Sequence, residues 1–191
     1  MTTQANFLVV IVLASGRSER FIAAGGKGSK LKALLAGKPV LERTLDAVRA
    51  SGLPWHLEDA GHPGMGDSIA AAVRATPEAA GWLILPGDLP LVRPETLCAV
   101  AGALTGRICA AQPQYQGERG HPVGFSAGCR AQLAALRGNL GAAPVLKAMR
   151  AIDAVADLVV DDIGIVTDID TPEALARAEA LWRERSAGRP G

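Results

Sequence analysis

The stretch of sequence that decides the fold reads Val9-Val10-Ile11-Val12-Leu13-Ala14-Ser15-Gly16-Arg17-Ser18-Glu19-Arg20. Its apolar half does not alternate with polar residues, which indicates a strand covered on both faces. The small residues that follow let a ligand approach the backbone, and the cations after them favour a phosphorylated ligand at the carboxyl end of a sheet. An ordinary strand-to-loop turn with solvated charges explains this segment equally well.

The composition predicts one globular domain over residues 1–191. Of the 191 residues, 49% are hydrophobic and 20% are charged, and the net charge is +1. That is enough for a core, without the basic excess of a nucleic-acid or membrane-surface protein. The three cysteines lack metal-ligand spacing and are odd in number, which argues against a zinc site or a disulfide framework. Because the first apolar run is too short for a signal peptide or a membrane span, we expect a cytoplasmic protein.

Strand and helix signals alternate along the chain, which predicts an α/β fold: a three-layer sandwich with a mostly parallel, Rossmann-like sheet. The predicted strands are 7–14, 53–57, 82–85, 107–111, 122–125 and 154–160, with 163–169 extended. The predicted helices are 39–50, 69–75 with Asp67 or Ser68 as N-cap, 94–103, 130–136, 143–150 and a last one that Thr171 caps and Pro172 begins. Residues 15–31 are predicted to form a loop, and a flexible tail is predicted from about residue 186.

Carboxylates follow two of the predicted strands. Asp88 comes directly after a buried strand, and Asp168 and Asp170 follow the extended segment. One or two carboxylates, completed by water and phosphate oxygens, suit Mg²⁺. Asp88 bonding its own turn, and Asp170 stabilising the start of the last helix, are the alternatives.

Two polar segments are further candidates for ligand binding. Arg119-Gly120-His121 places a cation and an imidazole at the start of a predicted strand, where His121 either contacts a substrate or bonds a backbone carbonyl. Residues 64–68, which include Gly66 and Ser68, offer backbone N–H groups to a base or a phosphate, or form an ordinary helix entry. The Walker pattern, a dinucleotide-binding GxGxxG after the first strand and any nucleophile triad are absent from the sequence.

Six segments in this order resemble the nucleotidyltransferases of the molybdenum cofactor, above all the cytidylyltransferase, with the guanylyltransferase as a relative. They are Leu13–Arg20, Lys32–Leu41, Gly64–Ser68, Gly87–Val92, Arg119–Val123 and Asp168–Glu173. The resemblance covers Phe7 to about Leu181. It implies the fold of nucleotide-diphospho-sugar transferases and an enzyme that uses Mg²⁺ to join a nucleoside triphosphate to a phosphorylated acceptor, here molybdopterin, with release of pyrophosphate.

The resemblance also implies a role for each matching residue. Leu13, Ala14, Ser15 and Gly16 would wrap the nucleotide together with Gly66 and Ser68, and Ala14-Ser15 favours CTP over GTP. The catalytic residues would be Arg17, Arg20, Lys32 and Asp88, and Asp88 and Asp170 would hold the metal, with Asp168 in reserve. Arg119, Gly120 and His121 would bind the acceptor.

Two departures from the family pattern leave alternatives open. The loop before Lys32 is long, so Lys30 is a second candidate for the loop lysine. Residues 51–63 are too few for the strand-helix-strand expected there, so one βα unit is missing.

The acceptor could instead be a sugar or isoprenoid phosphate. A catalytically silent nucleotide- or cofactor-binding protein that serves a molybdenum hydroxylase is the competing hypothesis.

Overall fold

The structure, a computed structural model, describes residues 7–187. Its main sheet has seven strands, and two further strands, β2 and β3, form a separate hairpin. The strands are β1 Leu8–Leu13, β2 Leu34–Leu35, β3 Lys38–Pro39, β4 Trp55–Glu58, β5 Gly81–Pro86, β6 Ala110–Tyr115, β7 Glu118–Arg119, β8 Val123–Ser126 and β9 Val155–Val159. The helices are α1 Glu19–Ala23, α2 Val40–Ala50, α3 Met65–Ala75, α4 Pro94–Gly102, α5 Arg130–Ala134, α6 Ala143–Ala151 and α7 Pro172–Ala187.

The main sheet is mostly parallel, as predicted. The strand order is β4-β1-β5-β8-β6-β7, and β9 pairs with β6 in parallel. β1 pairs in parallel with both β4 and β5, whereas β8 is antiparallel to both of its neighbours and β7 is antiparallel to β6. The carboxyl ends of β4, β1 and β5 therefore meet at one edge of the sheet.

Strand β1 lacks alternation because helices cover both sides of the sheet. Val9 and Ile11 belong to one core cluster, with residues of α3, α5 and α6. Val10 and Val12 belong to a second cluster, with residues of α2 and α4. All four side chains are buried, which confirms the prediction of a strand covered on both faces.

Helix α7 is attached to the rest of the molecule through a buried carboxylate. Asp162 accepts hydrogen bonds from the Arg93 backbone N–H and the Thr96 hydroxyl, both at 2.8 Å, and from the Gly164 N–H at 3.0 Å. Arg185 of α7 donates to the same side chain at 3.2 Å. One side chain thus connects the start of α4, the turn after β9 and the C-terminal helix.

Several predicted element bounds were wrong. Helix α3 begins at Met65 with Gly64 as its N-cap, four residues earlier than predicted. Asp67 is inside the helix and accepts a hydrogen bond from the Gly138 N–H at 2.9 Å instead of capping. Residues 163–166 form a 3-10 turn rather than an extended segment, and residues 15–31 contain α1 and a 3-10 turn at 30–32.

Smaller corrections concern strand starts and helix ends. The strand predicted at 107–111 begins at Ala110, and the helix predicted at 130–136 ends at Ala134. Helix α7 continues through Ser186 to Ala187, where the sequence predicted the tail. The remainder of that tail, residues 188–191, lies outside the described residues.

A single short strand, β4, fills the space between α2 and α3. It pairs directly with β1 in parallel, from Val10 opposite Trp55 to Leu13 opposite Glu58. Within the described chain this is the only strand in that interval. The sequence-based expectation of a missing βα unit is consistent with this topology.

Candidate active site

A cleft of about 530 Å³ lies at the carboxyl ends of β1 and β5; we call it the main cleft. It is bordered by the loop after β1, the 3-10 turn at 30–32, the start of α3 and the segment before α7. Eight of the predicted site residues line it: Leu13, Ser15, Gly16, Arg17, Arg20, Ser68, Asp88 and Asp170. Ala14, Gly66, Lys32, Arg119, Gly120 and His121 are not among its lining residues.

The two predicted metal carboxylates lie together because of backbone contacts. The Ile169 N–H donates to the Asp88 carbonyl at 3.1 Å, which joins the segment before α7 to the turn after β5. Ile169 is buried in a third core cluster, with Phe21, Leu31 and others. The Gly87 N–H donates to the Leu13 carbonyl at 2.9 Å, an approach that a side chain at Gly87 would obstruct.

Lys30 lies between these carboxylates. Its Nζ atom is 2.5 Å from Asp88 Oδ2 and 2.6 Å from Asp170 Oδ1. Burial disfavours the charged form of Lys30, but the two carboxylates outweigh this effect and raise the pKa of the Lys30 amine. Arg20 also pairs with Asp170. Burial acts to raise the pKa of Asp170, yet Lys30 and Arg20 bring that pKa below its usual value.

The structure therefore places Lys30, not Lys32, among the cleft residues. Both flank the buried Leu31 in one 3-10 turn, so their side chains leave the turn in different directions. Lys32 is exposed. The Lys30 N–H donates to Ser18 Oγ at 3.0 Å, which fastens this turn to the loop after β1. The family-based choice of Lys32 rested on its spacing from the segment that follows it in the sequence. That spacing does not show which lysine of the 3-10 turn enters the cleft.

Ser15 and Ser68 connect two segments that line the main cleft, the loop after β1 and the first turn of α3. Their hydroxyl oxygens are 2.9 Å apart. Gly66, also predicted to bind nucleotide, instead packs its backbone against residue Arg137, and its N–H donates to the Gly138 carbonyl at 2.7 Å. The start of α3 is thus held between the loop after β1 and residues 137–139.

The acceptor-side residues occupy different surroundings. His121 lines a second pocket of about 240 Å³, otherwise mostly apolar, which shares Leu13, Met65 and Pro86 with the main cleft. Burial lowers the pKa of His121, and its buried Nδ1 atom has no hydrogen-bond partner among residues 7–187. Arg119 is half exposed, lies 3.7 Å from Asp157 and lines neither pocket.

Gly120 has a packing role. Its N–H donates to the Pro113 carbonyl at 2.9 Å, and a Cβ atom there would lie 2.4 Å from the Ile165 carbonyl oxygen. The adjoining His121 N–H donates to that same carbonyl at 3.0 Å. Gly120 therefore lets the start of β8 approach the turn after β9, which fixes where His121 stands.

Sequence reasoning missed His62 and Asn139, which line the main cleft, and Glu58, which lies beside His62. His62 Nε2 is 3.3 Å from a carboxylate oxygen of Glu58, and His56 Nε2 is 3.6 Å from the other oxygen. Glu58 is buried at the carboxyl end of β4. The four-residue spacing of Glu58 and His62 was the only signal in the sequence. It could not be interpreted because the conformation of the loop between these residues was not predicted.

Asp88 and Asp170 could hold a divalent metal. The Lys30 ammonium already bridges them, which shows that one cation reaches both carboxylates. No group of three or more His, Cys, Asp or Glu side chains with metal-binding geometry occurs in residues 7–187. Two carboxylates with remaining positions for water and phosphate oxygens fit Mg²⁺ better than zinc.

The model of the MobA-like NTP transferase domain matches residues 10–155. The chain belongs to this family. Lys30, Asp88 and the other lining residues of the main cleft lie within the part that the MobA-like model matches, except Asp170, which lies after it. The resemblance inferred from six sequence segments is thereby confirmed at the level of the MobA-like family, and the mostly parallel sheet confirms the fold class.

Solved structures share this MobA-like fold over nearly the whole chain. Rv0371c from Mycobacterium tuberculosis H37Rv is 25% identical with a TM-score of 0.74, covering 94% of this chain and 100% of that chain. A manganese complex of Rv0371c is 23% identical with a TM-score of 0.70, over 92% and 99%. A nucleotidyl transferase from Methanothermobacter thermautotroptrophicus is 20% identical with a TM-score of 0.75, over 95% and 100%.

Curated relatives match a shorter part of the chain. The bifunctional protein GlmU of Desulfitobacterium hafniense is 33% identical over an alignment of 104 residues, and the match covers 40% of this chain and 23% of that protein. The chain thus spans about a quarter of the length of this relative. No helix within residues 7–187 is both long and apolar enough to cross a membrane.

Proposed function

We propose that the protein transfers a nucleotidyl group from CTP to a phosphorylated acceptor, molybdopterin, and releases pyrophosphate with the help of Mg²⁺. Membership of the MobA-like NTP transferase family supports the reaction class. The observation that carries the proposal is the cluster at the carboxyl ends of the strands, where Asp88 and Asp170 face Lys30 and Arg20 inside an open cleft. CTP and molybdopterin come from the sequence resemblance.

The reaction requires positioning and charge stabilisation rather than a covalent nucleophile. An oxygen of the acceptor phosphate forms a bond to the α-phosphorus. The bond from that phosphorus to the oxygen bridging to the β-phosphorus breaks, and pyrophosphate leaves with the electron pair. Because the acceptor phosphate is already an anion at neutral pH, no side chain has to remove a proton from it.

The charged residues of the main cleft would serve this step. Lys30 and Arg20 would neutralise the phosphate oxygens, whose charge increases in the transition state. Asp88 and Asp170 would hold Mg²⁺, which supplies further neutralisation when bound. Arg17, exposed at the rim, is a weaker candidate because its nearest carboxylate is Glu19 at 3.9 Å and it touches neither aspartate.

Nucleotide and acceptor would occupy the two adjoining cavities. The loop after β1, with Ser15 and Gly16, would contact the nucleotide beside Ser68 at the start of α3. His121 would contact the acceptor from the second pocket, which opens next to Leu13 and Pro86. Lys30 takes the role that the sequence had assigned to Lys32.

Pyrophosphate release tests the proposal directly. Wild-type protein would be incubated with Mg²⁺ and CTP, GTP, ATP or UTP, each with and without molybdopterin. Release that requires both CTP and molybdopterin supports the proposal in full. Release with another triphosphate would overturn the choice of base. Folded protein that binds CTP without release would overturn the enzymatic proposal and favour an accessory protein for a molybdenum hydroxylase.

A further inference from the structure

The Asp88–Asp170 site contains a cation that belongs to the protein itself. The Lys30 Nζ atom contacts both carboxylates, and the side chains of Lys30, Asp88 and Asp170 are only 13%, 14% and 19% exposed. We propose that Lys30 closes this site to divalent metal until a nucleoside triphosphate draws the ammonium away. This inference rests on the proposed function, because it concerns the site that would hold the metal.

The charges of the resting cluster explain why a metal would bind weakly. Asp88 and Asp170 carry two negative charges, and Lys30 and Arg20 carry two positive ones, so these four groups sum to zero. Asp168 is exposed but lies next to Asp170, and burial together with the Asp170 and Asp88 carboxylates raises the pKa of the Asp168 carboxyl. A divalent cation would have to displace the ammonium from both carboxylates and then lie close to it. Like charges at such distances repel strongly where solvent is partly excluded.

The triphosphate changes this balance. It brings about four negative charges to the main cleft and offers the ammonium new partners. The flexible four-carbon stem of lysine lets Nζ move while the backbone stays in place. The backbone of Lys30 is held to Ser18 of the loop after β1, so the ammonium remains within reach of phosphates bound there. Lys30 would then serve the phosphates, and the two carboxylates would be free for the metal.

The described residues are consistent with a metal that arrives with nucleotide. No preformed cluster of three or more metal-binding side chains occurs in residues 7–187. Two carboxylates alone leave most of the Mg²⁺ coordination to water and phosphate oxygens. The geometry thus favours an order in which metal-free carboxylates stay neutralised by Lys30, and metal and triphosphate enter together.

Binding of Mn²⁺ to the nucleotide-free protein tests the inference. Free Mn²⁺ would be followed by electron paramagnetic resonance during titration of wild type, Lys30→Met and Lys30→Gln. Both Lys30 variants are expected to bind Mn²⁺ at least about tenfold more tightly than wild type, because the ammonium that competes for the carboxylates is gone. Lys27→Met is the matched control, because Lys27 is an exposed lysine of the same loop; its affinity should equal that of wild type.

Two further measurements locate the effect and guard against misfolding. Lys30→Met combined with Asp88→Asn should lose the gain in Mn²⁺ affinity, because one of the two carboxylates is removed. Thermal unfolding would establish that each variant is folded. If both folded Lys30 variants bind Mn²⁺ no more tightly than wild type, or if the gain persists without the Asp88 carboxylate, the inference is overturned.

Failure of this inference differs from failure of the proposed function. The titration contains neither triphosphate nor acceptor. If the Lys30 variants and wild type bind Mn²⁺ with equal affinity, and wild type releases pyrophosphate as proposed, only the closing of the site by Lys30 would be overturned. Tighter Mn²⁺ binding in the Lys30 variants, in a protein that releases no pyrophosphate from any triphosphate, would overturn the proposed transfer and leave Lys30 as the group that occupies the site.

Discussion

The hydroxyl oxygens of Ser15 and Ser68 lie 2.9 Å apart and join the loop after β1 to the first turn of α3. Ser68 is buried, and its hydroxyl also lies 3.3 Å from the Gly64 carbonyl oxygen. Both segments line the main cleft. The contact therefore holds the loop after β1 against α3 at the part of the cleft that the nucleotide would occupy.

Ser68→Ala should therefore loosen the nucleotide side of the cleft. We expect a loss of about 1 kcal/mol in the free energy of unfolding and a rise of about fivefold in the KM for the triphosphate. Urea denaturation and steady-state kinetics measure the two quantities. Ser186→Ala, an exposed serine in the last turn of α7, is the control. An unchanged KM in Ser68→Ala would show that the contact does not shape nucleotide binding.

Lys30 and Lys32 can be separated by paired variants. Lys30→Met should lower kcat by about 10²- to 10³-fold, because it removes a cation that would stabilise the phosphate charge of the transition state. Lys32→Met should stay within about twofold of wild type, since Lys32 is exposed and outside the cleft lining. Pyrophosphate release under saturating triphosphate measures both. A larger loss in Lys32→Met than in Lys30→Met would restore the assignment made from sequence spacing.

Asp88 should be needed for metal-dependent activity. Asp88→Asn keeps the size of the side chain but removes the charge, so we expect at least about a 10²-fold loss of kcat and a higher Mg²⁺ requirement. The dependence of the rate on Mg²⁺ concentration measures this. Asp153→Asn is the control, because its side chain is 94% exposed. Full activity in Asp88→Asn would remove Asp88 from the metal site.

His121 should make the stability of the protein depend on pH. Its pKa in the folded state is lowered by burial, so on acidification the unfolded chain takes up the proton first. The contribution is fully present above about pH 6.5, the value in the unfolded chain, and declines below it by at most about 1.4 kcal/mol per pH unit. Urea denaturation from pH 5 to 8 should show this slope in wild type and a smaller slope in His121→Gln. Equal slopes would contradict the prediction.

Asp162 should be among the side chains most important for stability. Asp162→Ala removes the acceptor shared by Arg93, Thr96, Gly164 and Arg185, and we expect a loss of about 3–5 kcal/mol. Asp161→Ala changes the adjoining, exposed carboxylate and should cost less than about 0.5 kcal/mol. Thermal and urea denaturation measure both. Similar losses in the two variants would show that the buried network contributes little.

The sequence predicted those features that depend on local pattern. The continuous apolar run of β1 and the alternation of strands and helices were enough for the fold class. The sequence also predicted that Asp88 lies at the carboxyl end of the sheet, because a residue directly after a buried parallel strand emerges at that end. Thr171 caps α7 as predicted, its hydroxyl accepting from the Ala174 N–H at 3.1 Å.

The errors arose where distant parts of the chain decide the local structure. Helix α3 begins early because residues 137–139, far away in sequence, hold its first turn. Lys30 enters the cleft because Ser18 fixes its backbone and the buried Leu31 turns the two lysines apart. The surroundings of His121 depend on the carbonyl of Ile165. None of these partners lies within the window that a local pattern covers.

Strand β4 makes one edge of the sheet open to growth. Its partner in the described chain is β1 alone, and short connections join it to α2 and α3. A strand and helix inserted between β4 and α3 could pair with its outer side while leaving the register of β1 and β5 unchanged. This edge is therefore the position at which length could be gained or lost during evolution while the two carboxylates, which lie in the turn after β5 and in the segment before α7, keep their places.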